Sequence, residues 1–160
     1  MTVHDRFAAH EFIHRWWFNY DEGHLPVLES LLAEDCHLVS RTETGKHPYE
    51  EFIRSDCRGR EAVMAWKQQH RQHSPYPLRH NASNIHTIAE RGDDIDLESY
   101  LLVTQIVDRK PSALSSGIVH WTLRHTDDGY RLVSNDVVLD SIESTAFQDV
   151  PEVSDRMTGW

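Results

Sequence analysis

Cysteine is scarce in this chain. Cys36 and Cys57 are the only two, and they form neither a CxxC pair nor a disulfide framework. Free thiols and a cytoplasmic setting are therefore expected. Positive charge is also short: 16 Lys and Arg stand against 26 Asp and Glu, for a formal charge of −10. A surface without net positive potential argues against a non-specific partner for nucleic acid or anionic membrane. No apolar run reaches the roughly 18 residues of a membrane span, and the start, MTVHDRF, lacks the basic-then-apolar pattern of a secretory signal. No repeat or low-complexity stretch appears. What remains is a length of 160 residues with 39% hydrophobic residues, the profile of one soluble folded domain. Against these shortages stands one excess, 12 histidines.

Apolar spacing predicts a first helix over residues 4–20. Phe7, Phe12, Ile13, Trp16, Trp17 and Tyr20 recur three and four apart, with Gly23 just beyond. A second helix is expected over 26–34, with Pro26 in its first turn and Leu28, Leu31 and Leu32 inward. Residues 36–41 alternate loosely like a strand. Residues 42–58 read as a loop with a short helical piece at 49–55. Residues 60–72 read as a third helix with Ala62, Val63 and Trp66 on its apolar side, stopped by the run SPYP. The period then changes to that of strands over 78–89, 96–108, 116–126 and 130–139. Arg91-Gly92-Asp93-Asp94 and Thr126-Asp127-Asp128-Gly129 are turn sequences that imply antiparallel hairpins. Pro111 falls in the longer remaining connection. Residues 1–140 are assigned to one domain and the polar 141–160 stretch to a tail. Helices at one end and an antiparallel sheet at the other define an α+β fold. A strongly curved sheet wrapped around the helices would enclose a pocket between them.

Two motifs invite chemistry. His10-Glu11-Phe12-Ile13-His14 matches the H-E-x-x-H string of zinc proteases. It begins close to the N-terminus of a small chain and has no defensible third ligand, so it reads as a chance occurrence on a helix; no metal is expected. The second is the pair Asp21 and His80. A carboxylate at a helix C-terminus is electrostatically misplaced and asks for a reason. Alternation along the strand at 78–89 puts Leu78, His80, Ala82, Asn84, His86 and Ile88 on one face. If that face lines the pocket, His80 and Asn84 point inward. An aspartate bonded to a histidine fixes its tautomer and raises its basicity, giving a general base.

The order of elements resembles the NTF2-like, or SnoaL-like, cone fold over roughly residues 5–140. The residues that carry the resemblance are Tyr20-Asp21 with Leu28, Leu31 and Leu32 after it, then Gly59-Arg60-Glu61-Ala62-Val63, Arg79-His80 with Asn84, Gly92-Asp93, Ser99-Tyr100 and Gly129-Tyr130-Arg131-Leu132. The resemblance implies three N-terminal helices packed on a curved antiparallel or mixed sheet around a pocket. Tyr20-Asp21 and Arg79-His80 are similar to the helix tyrosine-aspartate and strand histidine of scytalone dehydratase, where the aspartate supports the histidine and tyrosines bind the substrate carbonyl through water. The chain departs from that enzyme in two places. Tyr100 to Gln105 holds no second histidine, and Gly117-Ile118 supplies no inward asparagine. Scytalone is therefore disfavoured as substrate. A ketosteroid-isomerase site would want a buried acid pair, and the choice between Asn135 and Asp136 for such a part stays open.

The expected function is a cofactor-independent dehydratase or isomerase acting on a small, apolar, cyclic or aromatic substrate. His80 is the expected base, Asp21 its support and Tyr20 the group that polarises the oxygen. Asn84, His14, Trp17, Trp66 and Trp121 are candidate substrate contacts, although tryptophans more often build a core. Alternation sends His120 and Trp121 to opposite sides of the sheet. His37, His70, His73 and His125 sit in polar settings and read as solvated. The resemblance keeps two alternatives open. One is a non-catalytic β subunit of a ring-hydroxylating dioxygenase, with a large oxygenase subunit as partner and the 42–58 and 141–160 stretches as contact surfaces. The other is a polyketide cyclase. It also implies a homodimer or homotrimer formed through the sheet.

Overall fold

A computed structural model describes residues 5–149. Helix α1 (Arg6–Asp21) begins where the Asp5 carboxylate accepts a hydrogen bond from the Ala8 N–H, and it buries Ala9, Phe12, Ile13, Trp16, Trp17, Tyr20 and Asp21. Each large apolar side chain on this face contributes roughly 2 kcal/mol by leaving water. Phe7, counted with that face in the sequence, lies outside it and is exposed. The helix ends on Gly23, whose φ of 71° is left-handed. There the Gly23 N–H donates to the Tyr20 carbonyl and the His24 N–H to the Asn19 carbonyl. This pairing closes the helix and places Asp21 in its last turn.

Helix α2 (Leu25–Ser30) is shorter than its sequence pattern suggests, and strand β1 (Leu32–Thr42) starts four residues earlier than expected. The Leu31 carbonyl accepts from the Leu132 N–H at 2.8 Å, which draws the chain into the sheet before the helix can continue. The 42–58 stretch holds a four-residue helix α3 (Glu50–Ile53) and a strand β2 (Ser55–Arg58). Helices therefore number four among the described residues rather than three. Helix α4 (Arg60–His73) is followed by β3 (Leu78–Arg91), β4 (Asp94–Val107), β5 (Lys110–Thr126) and β6 (Gly129–Leu139). The six strands form one sheet in the order β2-β1-β6-β5-β4-β3. Only the β1–β6 pair is parallel.

Both turn sequences act as expected, joining β3 to β4 and β5 to β6. The connection from β4 to β5 is not long. It is the two-residue turn Asp108-Arg109, both with positive φ, the geometry that matches strand twist. Pro111 accordingly lies inside β5. The helices cover one face of the sheet, and α1 packs mainly on β3. Trp121 faces this covered side. His120 faces the other, between Glu98 and Asp136 of the neighbouring strands. Of the tail, Phe147–Asp149 make a short 3-10 turn, and residues 150–160 lie outside the described residues. No helix among the described residues is long and apolar enough to cross a membrane.

Candidate active site

A cavity of about 280 Å³ lies between α1, α3, α4 and the sheet. Leu78, Leu101, Val103, Val137 and Leu139 form its sheet wall. Tyr49, Phe52 and Ile53, from the stretch expected to be a loop, form another. That wall is anchored by Glu50, which accepts hydrogen bonds from the Thr42 N–H (3.0 Å) and Oγ1 (2.5 Å) and pairs with Arg54 at 3.1 Å. Burial pushes the Glu50 carboxyl up, but the Thr42 hydrogen bonds and Arg54 outweigh it and hold it below the usual range.

His80 reaches the cavity from β3. Its Nδ1 lies 2.5 Å from Asp21 Oδ1, and its backbone N–H donates to Asp21 Oδ2 at 2.8 Å. Both carboxylate oxygens are thus engaged by one residue, which accounts for an aspartate in the last turn of α1. The end of α1 is fixed from α4 as well: Arg71 Nε and Nη2 both donate to the Asp21 carbonyl, at 3.0 and 2.8 Å. The Trp17 ring stacks on the imidazole at 4.4 Å and 5°. With Nδ1 held by Asp21, Nε2 is the remaining nitrogen, and no described group hydrogen-bonds it. Burial pushes the His80 pKa down, further than the Asp21 hydrogen bond and charge lift it. The ring is therefore neutral near physiological pH, with Nε2 able to accept a proton.

Tyr20 lines the same cavity, and its hydroxyl shares a very short hydrogen bond with His70 Nδ1. Burial raises the Tyr20 pKa well above its ordinary value, so the phenol keeps its proton. Burial, with Lys67, His80 and Arg71 adding to it, lowers His70 to about 3, so this imidazole is neutral. The Tyr20 hydroxyl is thus engaged by His70.

The other expected contacts divide. Trp17 and Trp66 line the cavity. Trp121 does not; it is buried behind Trp17, with Nε1 donating to Ser99 Oγ at 3.0 Å. Asn84 does not point inward. The β3–β4 register shifts between Ser83 and His86, and Asn84 sits there with φ 54°. This bulge reverses the side-chain alternation and leaves Asn84 and His86 exposed, in a separate shallow depression beside Glu98. His14 is exposed on the outer side of α1. It trails Asp21 by two turns, but a seven-residue step drifts off the axis, and the inward edge at that level belongs to Ile13 and Trp17. No three His, Cys, Asp or Glu side chains among the described residues group as a metal site.

His70, expected to be solvated, is instead half-buried in the cavity wall, and Lys67, not singled out in the sequence, lines the cavity beside it. Both lie on α4 at helical spacing from Val63, at steps of seven and four. The signal was present, but charge and polarity hid it.

The SnoaL-like domain model matches residues 1–136. The chain belongs to the SnoaL-like family. A search of curated protein sequences gives no match. Among solved structures, this SnoaL-like chain is similar to an NTF2-like protein with a cystatin-like fold from Novosphingobium aromaticivorans, with 24% identity over 84% of this chain and 81% of that one and a TM-score of 0.68. It is similar to ActVI-ORFA from Streptomyces coelicolor, with 19% identity, coverage of 86% and 98%, and a TM-score of 0.68. It is also similar to the β subunit of the benzoate 1,2-dioxygenase from Burkholderia mallei, with 16% identity, coverage of 87% and 93%, and a TM-score of 0.67. At these identities the likeness is one of fold.

Proposed function

We propose that this SnoaL-like protein is a cofactor-independent general acid–base enzyme acting on a small apolar ring compound. The observation that carries the reading is the Asp21–His80 pair, with His80 in the wall of an aromatic cavity. His80 Nε2 removes a proton from carbon next to a carbonyl, and Asp21 balances the imidazolium that forms. Return of the proton to another carbon gives isomerisation; expulsion of a hydroxyl, protonated by the imidazolium, gives dehydration. A positioned base of this kind contributes about 10²–10⁴-fold. Tyr20 belongs to the site as wall and as partner of His70.

The β-subunit alternative draws on the fold likeness to the benzoate dioxygenase subunit and would require a large oxygenase partner. The 42–58 stretch supports the enzyme reading instead, because Tyr49 and Ile53 line the cavity, with the part-exposed Phe52 at its edge. A cyclase role would use the same base on a longer substrate. The exposed Tyr100 and Leu102, on the sheet face away from the helices, support self-assembly through that face, which light scattering checks.

The test is deuterium exchange into tetralone and related cyclic ketones in deuterium oxide. Wild type is expected to accelerate exchange over buffer, His80→Ala to lose at least about 100-fold of that, and Asp21→Asn at least about tenfold. Full activity in both variants overturns the dyad, and no acceleration by wild type on any ketone overturns the reading.

A further inference from the structure

Lys67 is an unusual cavity residue. It projects from α4, is 5% exposed overall, and lines the cavity. Its Nζ lies 4.6 Å from the Tyr20 ring centre, 5.2 Å from Trp66, 5.5 Å from Trp17 and 5.6 Å from Trp16. No described carboxylate or hydroxyl hydrogen-bonds it. Among the described lining residues it is the only Lys, Arg, Asp or Glu. A buried ammonium without a counter-ion is costly, and aromatic faces repay only part of that cost. Asp21, whose charge acts on Lys67, has both oxygens committed to His80.

We propose that Lys67 is the anion-binding group of this cavity, and that its ligand is a small ring compound bearing an oxyanion or a carbonyl oxygen that becomes one. This deepens the acid–base reading and rests on it for the catalytic half. When His80 takes the proton from carbon, the electron pair moves to the carbonyl oxygen, and Lys67 stabilises the negative charge there. The ammonium donates to this oxygen without giving up its proton, and the enolate collapses when carbon is reprotonated or a leaving group departs. Fixed charge at the site of developing charge is the most effective form of such stabilisation. Lys67 thus takes the part first expected of Tyr20, whose hydroxyl is bonded to His70.

The groups facing Lys67 are Asp21 and Tyr20 from α1, Cys57 from β2, His70 from its own helix and His80 from β3. Burial lowers Lys67 to about 8. Burial raises Tyr20 and Cys57 and lowers both histidines. A rise from about pH 7 to about pH 9.5 therefore discharges Lys67 while leaving the phenol protonated and the imidazoles neutral.

The test is binding of naphthoate and of its neutral analogue naphthamide, followed by tryptophan fluorescence. At about pH 7 wild type is expected to bind naphthoate at least about tenfold more tightly than naphthamide. Lys67→Met is expected to abolish that preference, and in wild type it is expected to fade at about pH 9.5. The wild-type pH series stands even if the variant does not fold. Equal affinity for both probes in wild type, an undiminished preference in Lys67→Met or at high pH, or binding of neither probe overturns the proposal. Binding needs no turnover, so a failure of His80 as base appears in the exchange assay while the naphthoate preference persists.

Discussion

Replacing Lys67 by Met should make the protein more stable. The lowering of Lys67 from 10.5 to about 8 corresponds to about 3 kcal/mol against the charged form in the folded state. Four aromatic faces at 4.6–5.6 Å return about 1–2 kcal/mol through cation–π attraction, which methionine forgoes. Methionine is apolar, slender and free of the desolvation cost. The expected net gain is about 1–2 kcal/mol in urea unfolding near neutral pH, and a rise in Tm of several degrees. The pH dependence has a definite sign. Between about 8 and 10.5 the folded state binds fewer protons at this site than the unfolded chain. Wild-type stability therefore gains from Lys67 as pH rises through that window, and the gap to Lys67→Met narrows. A variant less stable than wild type by about 1 kcal/mol or more, or a gap unchanged at about pH 9.5, would refute the idea that this lysine is kept at the expense of stability.

Two further predictions test the packing around the site. Because burial holds His70 at about 3, stability should fall as pH drops from about 6.5 toward 3, by on the order of 4 kcal/mol for this residue. His70→Gln should flatten that part of an acid-unfolding series, and an unchanged slope would count against it. Gly117 sits where β5 passes so close to β6 that a Cβ would stand 2.3 Å from the Val138 carbonyl oxygen. Gly117→Ala should cost at least about 1–3 kcal/mol in urea unfolding, and a neutral substitution would contradict this strand spacing.

Much of this molecule is legible in its residue pattern. The aromatic spacing of α1, the turns at Gly92-Asp93 and Asp127-Asp128, and the alternation that brings His80 to the covered face all follow from local rules. The Asp21–His80 contact could be inferred because a carboxylate in the last turn of a helix needs a partner. Asn84 could not be placed correctly, because a single bulge reverses alternation and leaves no mark that period-two counting detects. The early start of β1 depends on Leu132, about a hundred residues away. Lys67 and His70 were masked by their polarity: hydrophobic periodicity discounts the charged residues that a cavity wall employs.

The proton on His80 offers the most direct test of the central claim. NMR of the imidazole nitrogens across a pH series reports which nitrogen carries it. The account predicts a neutral ring at about pH 7, protonated at Nδ1 toward Asp21 and bare at Nε2 toward the cavity. An imidazolium at that pH, or a proton resident on Nε2, would contradict it.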